Sequence, residues 1–501
     1  MYQEGDEVMD IMSLKSGSDI RAVSYSENES EIVLSNSLVR SITAAFISFL
    51  AQEKSITNPI IAVGYDSRLS SVRIKNAVIE SLLHNSIKTF DCSLSSTPSM
   101  FMTTINLNCD AAIMVTASHM PYDMNGLKFF TKEGGLSGSD IEKILKRTSA
   151  APLKYPKTEK TAEPSNHMDI YAASLRNIII KGVKNGEKPL SGLKIAVDAG
   201  NGVGGFYVEK VLIPLGADCS GSRFLEPDGR FPNHIPNPED KTAMLSIKDA
   251  VISSNSDFGV IFDTDVDRAA CVDGRGEEIN KSKLVALASV IALKDTPGGT
   301  IVTDSVTSDG VTEFITKSLG GVHRRFMRGY KNVIDEAKRL QSEGTKAPLA
   351  IETSGHAAFS DNYYLDDGAY LMTLIITLLA NMKKTGKDIL SLISDYHEAL
   401  EEKEERYKIL HKDFKQYGLK VIEEFEVFAK NSSKVSVCPD NFEGIRISFN
   451  DGVTKGWLLI RMSLHEPLLV MNCESDNIGG TKEILAWFYE FLGKFDELQL
   501  K

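Results

Sequence analysis

Three aspartates at alternate positions, Asp263, Asp265 and Asp267, follow directly on an apolar run at Phe258–Phe262. The run predicts a buried parallel strand, and open α/β sheets bind their ligands at the carboxyl ends of such strands. Carboxylates this close together repel one another, and a divalent cation that prefers oxygen ligands relieves the repulsion. We therefore expect a metal site, with Mg²⁺ as the first candidate. The alternative is a solvated acidic loop.

A serine, Ser118, ends a second apolar run that begins at Asp110, and His119 and Lys128 are close to it in sequence. A serine placed where a strand ends can be exposed as a nucleophile, with an imidazole and an ammonium group near enough to act on protons and charge. The same pattern also occurs in ordinary turns and helix caps. Taken alone, this loop does not decide between catalysis and structure.

Two further loops carry groups that could recognise a substrate. Glu352, Ser354 and His356 follow a short apolar run and could bind several hydroxyls of a polyol, although a polar turn is the alternative. Arg461, at the end of a later run, can bind a phosphate through two hydrogen bonds, and Ser463 with the turn's backbone N–H groups can complete an anion site. A lone surface arginine explains that loop about as well.

The apolar runs that precede these loops alternate with amphipathic stretches, which predicts parallel α/β units. The predicted helices of these units include Ser37–Gln52, Ile74–His84 and Ser305–Leu319. The C-terminal part differs, because its apolar runs are closely spaced and predict a small antiparallel sheet. We expect a charged helix at Tyr396–Lys408 before this sheet, and a helix at Thr481–Lys494 that covers it with one apolar face.

A chain of 501 residues is too long for one hydrophobic core. The predicted fold class is α/β with four domains: three related α/β units with mainly parallel sheets, and a C-terminal α+β domain with a small antiparallel sheet. The predicted boundaries are 1–160, 161–298, 299–405 and 406–501. A Pro- and Lys-rich stretch, Ala151–Pro164, separates the first two units.

Charge and composition restrict the class of partner and the compartment. A net charge of −12 argues against a nucleic-acid or anionic-membrane partner, since both need a positive field. The six cysteines are scattered without a CxxC pair, as in a reduced intracellular protein. No run reaches the roughly 18–20 apolar residues of a membrane span. We expect a cytoplasmic protein; a plastid protein whose transit peptide had been removed would look the same.

Phosphoryl transfer on a sugar phosphate needs four groups that this chain offers together: a metal cluster, a serine nucleophile, a hydroxyl-binding loop and an anion loop. At these residues the chain resembles the α-D-phosphohexomutase superfamily, which includes phosphoglucomutase, phosphomannomutase and phosphoglucosamine mutase. Thr116–Pro121 is similar to the family's phosphoserine loop, Asp263–Arg268 to its magnesium loop, Glu352–His356 to its sugar loop and Arg461–Pro467 to its phosphate loop. Further matches follow in the family's order at Gly17–Arg21, Gly64–Arg68, Asp198–Gly202, Pro227–Asn233, Pro236–Glu239 and Arg328–Lys331.

The resemblance implies an isomerase-class enzyme in which Ser118 is a phosphoserine and, with Asp263, Asp265 and Asp267, a ligand of Mg²⁺. Its phosphoryl group would pass to a hexose phosphate, and the resulting hexose 1,6-bisphosphate would return its other phosphate to the serine. The net reaction interconverts hexose 1-phosphate and 6-phosphate, with the bisphosphate as intermediate and activator. The implied partners are small-molecule sugar phosphates, and the resemblance is compatible with either a monomer or a dimer.

The matched motifs also imply roles for individual residues. Those implied to supply positive charge or move protons are Arg21, His119, Lys128, Arg268, Lys331 and His356. Those implied to bind the substrate are Gly329, Tyr330, Glu352, Ser354, His356, Arg461, Ser463 and Glu466. In chain order, the resemblance assigns the four domains to the phosphoserine loop, the magnesium ion, the sugar and the distal phosphate.

The chain departs from the family pattern at four positions. Met120 replaces a usual Asn, Thr353 stands where Glu or Gln is common, and Leu464 and His465 replace a small residue and a Thr. If the altered anion loop releases the bisphosphate, the protein would be a phosphotransferase that forms hexose bisphosphate. The same sequence is also compatible with a catalytically weak sugar-phosphate sensor, or with a haloacid-dehalogenase-like phosphatase in which Asp263 is the nucleophile.

Overall fold

The computed structural model describes residues 2–4, 7–149, 155, 159–449, 452–463 and 466–500. The chain forms two compact units, the first made of Met1–Lys281 with Ser354–Leu390 and the second of Ser282–Thr353 with Ser391–Lys501. The metal and serine loops of the sequence analysis fall in the first unit. The anion loop falls in the second.

The N-terminal part of the first unit is a mixed sheet with helices. Its strands are β1 (Tyr2–Glu4), β2 (Glu7–Met9), β3 (Lys15–Ser16), β4 (Asp19–Val23), β5 (Ile60–Tyr65), β6 (Lys88–Leu94), β7 (Ala111–Val115), β8 (Met124–Thr131), β9 (Gly134–Gly135) and β10 (Glu163–Pro164). Its helices are α1 (Asn36–Glu53), α2 (Ser71–His84), α3 (Thr97–Asn106) and α4 (Gly138–Arg147). The sheet has the order β10-β6-β5-β7-β8-β4-β3, with β9 beside β8, and β1 pairs separately with β2. Because β5 and β7 are parallel neighbours, the loops after them emerge side by side.

Helix α1 is the apolar centre of this part. Ser35 caps it by accepting a hydrogen bond from the N–H of Leu38 at 3.3 Å, and Ile42, Phe46 and Phe49 are fully buried in the core. A segment containing α1, Glu29–Glu53, is long and apolar enough to cross a membrane, but half of it is buried in the protein. We therefore interpret it as a core helix.

The second part of the first unit contains the aspartate loop. Its elements are α5 (His167–Val183), β11 (Ile195–Asp198), α6 (Lys241–Ser254), β12 (Phe258–Phe262), β13 (Ala269–Asp273) and β14 (Glu278–Ile279). The four strands lie in the order β11-β12-β13-β14, with β11 parallel to β12 and the others antiparallel. All residues of β12 are buried, as the uninterrupted apolar run predicted.

The third α/β part is divided between the units. In the second unit lie α7 (Lys281–Asp295), β15 (Thr300–Asp304), α8 (Asp309–Glu313), β16 (Val322–Phe326), α9 (Tyr330–Ser342) and β17 (Leu349–Ile351), with β15 parallel to both β16 and β17. The first unit contains β18 (Ala357–Phe359), β19 (Leu365–Asp366) and α10 (Gly368–Lys384), and β18 is antiparallel to β19. Short 3-10 or π-helical turns occur at Ile11–Leu14, Glu29–Glu31, Tyr207–Leu212, Ile213–Leu215, Phe314–Ser318, Ser360–Asn362 and Ile389–Ile393.

The C-terminal part is an antiparallel sheet with two helices. Its elements are β20 (Glu401–Ile409), α11 (Phe414–Lys430), β21 (Val435–Val437), β22 (Gly444–Phe449), β23 (Gly456–Met462), β24 (Leu468–Ser475), α12 (Gly480–Leu492) and β25 (Leu498–Leu500). The strand order is β21-β22-β23-β24-β20-β25. Helix α12 buries Ile484, Trp487, Phe488 and Phe491, as predicted. The predicted fold class is confirmed, with mixed sheets in the first three parts and an antiparallel sheet in the last.

The charged helix predicted at Tyr396–Lys408 is wrong. Residues Glu401–Ile409 form strand β20, which pairs along its length with β24 and at its end with β25. Tyr407 and Ile409 are buried while Arg406 and Lys408 are exposed, so the last residues of the segment alternate as those of a half-buried strand do. The helix propensity of its Glu and Lys residues is outweighed by pairing inside the sheet.

Candidate active site

Ser118 lies at the carboxyl end of β7 in an unusual backbone conformation. Its φ is 51°, in the left-handed region that a non-glycine residue rarely adopts. The N–H of Ser118 donates to Thr116 Oγ1 at 2.9 Å, and the residue is buried. Its Oγ donates to Asp263 Oδ2 at 2.9 Å and lies 3.3 Å from His119 Nδ1. The serine loop and the aspartate loop, predicted separately, thus meet at this hydroxyl.

The three aspartates form a compact buried cluster. Asp263, Asp265 and Asp267 are 0%, 0% and 1% exposed, and one ligand oxygen from each lies within 4.8 Å of the others. Thr97 holds the middle carboxylate, because its Oγ1 donates to Asp265 Oδ2 and its N–H donates to the Asp265 carbonyl at 2.9 Å. Lys128, on β8, donates to Asp267 Oδ2 and lies 3.4 Å from Asp265 Oδ2.

These carboxylates fit a hard divalent cation. Within the described part of the chain, Asp265 Oδ1 and Asp267 Oδ1 are buried without a hydrogen-bond partner, although the other oxygen of each is bonded. Unbonded buried carboxylate oxygens carry a large desolvation cost that a metal ion would remove. Burial, followed by the charges of Asp267 and Asp265, raises the pKa of Asp263 well above its usual value. An all-oxygen set of this kind suits Mg²⁺.

Cationic side chains surround this cluster within the first unit. Arg268 Nε lies 3.3 Å from Asp263 Oδ2, and its Nη1 donates to Asn237 Oδ1 at 3.1 Å. Arg21, on β4 opposite Gly126 of β8, pairs with Asp19 at 2.7 Å. Together with Lys128 these residues oppose the global charge of −12, as the binding of an anionic substrate requires.

The two histidines near the cluster differ in charge: one is neutral and the other is protonated. The positive charge of Arg268 and then burial lower the pKa of His119 to about 2, so its imidazole is neutral at pH 7. Burial alone would lower the pKa of His356, but Asp366, which bonds to His356 Nδ1, and Asp267 raise it to about 9. His356 therefore carries a proton at neutral pH. It can donate that proton or stabilise negative charge, but it is a poor base.

The second unit holds the anion loop and the first two residues of the sugar loop, Glu352 and Thr353. Arg461, near the end of β23, is 6% exposed, and its Nε lies 3.8 Å from Glu443 Oε1. Burial lowers the pKa of Arg461 from its ordinary value. Ser463 follows with its N–H bonded to the Leu468 carbonyl at 2.8 Å, and the N–H of Glu466 donates to Ser463 Oγ at 3.3 Å. The described residues of this turn offer a guanidinium and a hydroxyl to an anion.

Glu352 and the Gly329–Lys331 segment meet in the second unit as well. The N–H of Gly329, whose φ is 108°, donates to Glu352 Oε1 at 2.7 Å, and α9 begins at Tyr330. Lys331 pairs with Asp335 one turn along α9. Ser354 belongs to the first unit, where it is buried. The Leu464 and His465 departures from the family pattern lie outside the described residues.

Sequence reasoning missed several residues that shape the site. Thr97 looks like the start of a helix, and nothing in its neighbourhood points to Asp265. Asp366 bonds to His356 from ten positions away and had no motif to mark it. Arg68 and Asn237 lay in segments that matched the family, but no role was given to them.

Comparison with known proteins agrees with this arrangement. Residues 14–154, 169–276 and 280–396 match the sequence models of α/β/α domains I, II and III of phosphoglucomutase/phosphomannomutase. Phosphomannomutase/phosphoglucomutase of Pseudomonas syringae pv. tomato is 27% identical over 437 residues, which cover 87% of this chain and 87% of the relative. Phosphomannomutase of Escherichia coli is 29% identical over 426 residues, or 83% of this chain and 87% of the relative.

Solved structures show the same architecture. The crystal structure of a phosphoglucomutase/phosphomannomutase family protein from Burkholderia thailandensis is 25% identical, has a TM-score of 0.78, and covers 96% of this chain and 97% of its own. Parafusin, a phosphoglucomutase of Paramecium crystallised in an open form, is 16% identical with a TM-score of 0.73 and coverages of 96% and 94%. The latter likeness supports the fold alone.

Proposed function

This chain belongs to the phosphoglucomutase/phosphomannomutase family, and from that premise we propose that it interconverts hexose 1-phosphate and hexose 6-phosphate through a phosphoserine at Ser118. The observation that carries the proposal is the 2.9 Å contact between Ser118 Oγ and Asp263 Oδ2, inside a buried cluster of three aspartates. A serine hydroxyl beside a metal-binding carboxylate is placed to accept and return a phosphoryl group.

The reaction consists of two transfers at Ser118. In the first, the bond from Ser118 Oγ to phosphorus breaks, a hydroxyl oxygen of the hexose monophosphate forms the new bond, and the proton of that hydroxyl ends on Ser118 Oγ. In the second, Ser118 Oγ attacks the other phosphorus of the bisphosphate, the sugar oxygen leaves, and the serine proton ends on the sugar. The net change is an isomerisation without oxidation or reduction.

Positive charge is the main requirement of such transfers, because the transferring phosphoryl group carries negative charge over three equatorial oxygens. Mg²⁺ bound by Asp263, Asp265 and Asp267 would neutralise part of that charge. Lys128 and Arg268 are positioned to contribute to the same end. For proton movement we propose Lys331 and His356. His356 suits protonation of the leaving sugar oxygen, since its pKa of about 9 keeps it charged at neutral pH.

The substrate class rests on the names of the relatives, which are phosphoglucomutases and phosphomannomutases. We propose glucose and mannose phosphates as substrates and hexose 1,6-bisphosphate as the activator that first loads Ser118. The direct test is incubation with labelled glucose 1,6-bisphosphate, followed by intact-mass measurement and peptide mapping. One phosphate on Ser118 is expected. Label on Asp263 would favour the dehalogenase-like phosphatase, and no label at all would favour the sensor.

Arg461→Ala is expected to weaken binding of the hexose phosphate about 10- to 150-fold. The lost interaction is a charge-assisted hydrogen bond of roughly 1.5–3 kcal/mol to the phosphate that does not react, at 1.4 kcal/mol per decade. The change should be measured as the dissociation constant of glucose 1-phosphate by calorimetry. Arg339→Ala is the matched control in the same unit, because Arg339 is an exposed arginine of α9 that pairs with two glutamates, Glu336 and Glu343. Equal affinities of the Arg461 variant and wild type would remove Arg461 from the binding site.

A further inference from the structure

Arg68 is a buried arginine in the loop after β5, beside the serine loop. It is 2% exposed, and its guanidinium donates to four backbone carbonyls, those of Ser118, Met120 at 2.5 Å, Pro121 at 2.6 Å and Met124 at 2.9 Å. The four carbonyls lie in the serine loop between β7 and β8 and at the first residue of β8. One side chain thus holds most of the loop that carries the nucleophile.

The loop needs such support because its backbone is strained. Ser118 has a φ of 51°, and a non-glycine residue in the left-handed region is unfavourable unless its surroundings hold it there. In this conformation Ser118 Oγ is directed at Asp263, 2.9 Å away. Loss of the bonds to Arg68 would free the loop to relax, and the hydroxyl would then move from the aspartates.

Arg68 is itself held in place from two sides. Its Nε lies 3.3 Å from Asp66 Oδ2, and that carboxylate accepts hydrogen bonds from Ser71 Oγ at 2.7 Å and from the N–H of Arg68 at 3.0 Å. The ring of Phe231, from the loop that precedes α6, lies 5.2 Å from the guanidinium carbon. A charge so enclosed has little freedom, so the carbonyls that it binds are fixed as well.

We propose that Arg68 is a positioning residue for phosphoryl transfer, which keeps Ser118 in the left-handed conformation that presents its Oγ to the phosphoryl donor. This inference rests on the proposed function, in which Ser118 is the nucleophile. Because Arg68 acts through the serine loop, it affects the rate of phosphoryl transfer. The affinity for the sugar phosphate depends on other residues. A displacement of the nucleophile by about 1 Å slows such a step on the order of 10²-fold.

The test variant is Arg68→Lys, which keeps the charge beside Asp66 but cannot donate to four carbonyls at once. Phosphorylation of Ser118 by glucose 1,6-bisphosphate, followed by rapid quench, should be about 10²-fold slower than in wild type. The dissociation constant of glucose 1-phosphate should change by less than about threefold, since a residue that acts only on the chemical step alters rate without altering binding.

The matched control is Arg73→Lys. Arg73, on helix α2, also donates to backbone carbonyls, those of Ser24 at 2.8 Å and Leu34 at 3.1 Å, but to none in the serine loop. The Arg73→Lys variant should lower the thermal midpoint, as Arg68→Lys does, but leave the phosphorylation rate of Ser118 unchanged. Equal slowing by the two variants would overturn the inference, because it would indicate a general loss of stability.

Two further measurements separate the remaining outcomes. Added methylguanidine should restore the phosphorylation rate of Arg68→Ala and have no effect on Arg73→Ala. If Arg68→Lys does not fold, Phe231→Leu keeps all donors while removing the ring beside the guanidinium, and it should slow phosphorylation a few-fold.

Wild-type rates in folded Arg68 variants would overturn the positioning role and leave the proposed function intact. Failure of the wild-type protein to label would overturn both.

Discussion

Ser118→Ala is expected to abolish hexose phosphate interconversion. Deletion of a covalent nucleophile costs on the order of 10⁶ in turnover when the mechanism passes through it. Alanine also fits the position, since it demands no more space than serine and leaves the bonds from Arg68 to the loop carbonyls in place. The measurement is the coupled assay with glucose 1-phosphate and glucose 1,6-bisphosphate, together with protein labelling by the bisphosphate. Both signals should fall below detection while the thermal midpoint stays near that of wild type.

Ser93→Ala provides the control for this experiment. Ser93 lies in the same sheet, is exposed, and has a φ of 55°, close to the 51° of Ser118. Its replacement therefore reproduces the backbone effect of putting alanine into a left-handed position without touching the site. It should keep full activity. Substantial turnover in Ser118→Ala would show that the phosphoryl group passes through another residue, and continued labelling would identify that residue.

The sequence was most informative where a short segment carries its own chemistry. The aspartates of 263–267 follow a buried strand at alternate positions, and both the burial of that strand and the proximity of the three carboxylates were expected from the pattern. Ser118 could likewise be placed at a strand end. The order of motifs then supported the family and, with it, the four-part fold.

Contacts between distant segments could not be predicted in the same way. The bond from Thr97 to Asp265 spans 168 positions, and that from Lys128 to Asp267 spans 139. Threonine at a helix start is ordinary, and although Lys128 was expected near the serine loop, nothing beside it in sequence indicates a bond to Asp267. Such contacts follow from the packing of the sheets, which periodicity does not specify.

Strand β20 illustrates a second limit. Its first six residues all carry charged side chains, and a propensity argument favours helix for Glu and Lys. Only Tyr407 and Ile409 alternate inward, which is too short a pattern to predict a strand. Its neighbours β24 and β25 decide its conformation. The domain boundaries proposed from composition also stay predictions.

The aspartate cluster makes a prediction about metal and stability together. Asp265→Asn is expected to lower turnover about 10²- to 10³-fold, the size of effect that follows when one group that stabilises transition-state charge is removed. Asp265 is the cleanest choice, because Thr97 holds its Oδ2 and its Oδ1 is a buried oxygen without a partner among the described residues. Asparagine keeps the shape and can still accept the bond from Thr97.

The control lies at the other end of the same strand. Asp257 precedes β12, and its Oδ2 bonds to Lys383 and to the N–H of Lys194 at the surface. Asp257→Asn should keep wild-type turnover and wild-type metal affinity. If both aspartate variants lose activity equally, the loss reflects the strand and not a metal site.

The stability of the protein gives a readout that does not depend on activity. In the absence of Mg²⁺, Asp265→Asn should unfold at no lower temperature than wild type, because one of three crowded, buried negative charges has been removed. In the wild-type protein, Mg²⁺ at 100 times its dissociation constant should add about 2.7 kcal/mol to the free energy of unfolding. The free energy of unfolding of Asp265→Asn should rise much less at the same Mg²⁺ concentration. With Mg²⁺ added, wild type should therefore have the higher thermal midpoint of the two proteins. A wild-type midpoint that does not respond to Mg²⁺ would contradict the magnesium assignment, even if turnover fell as expected.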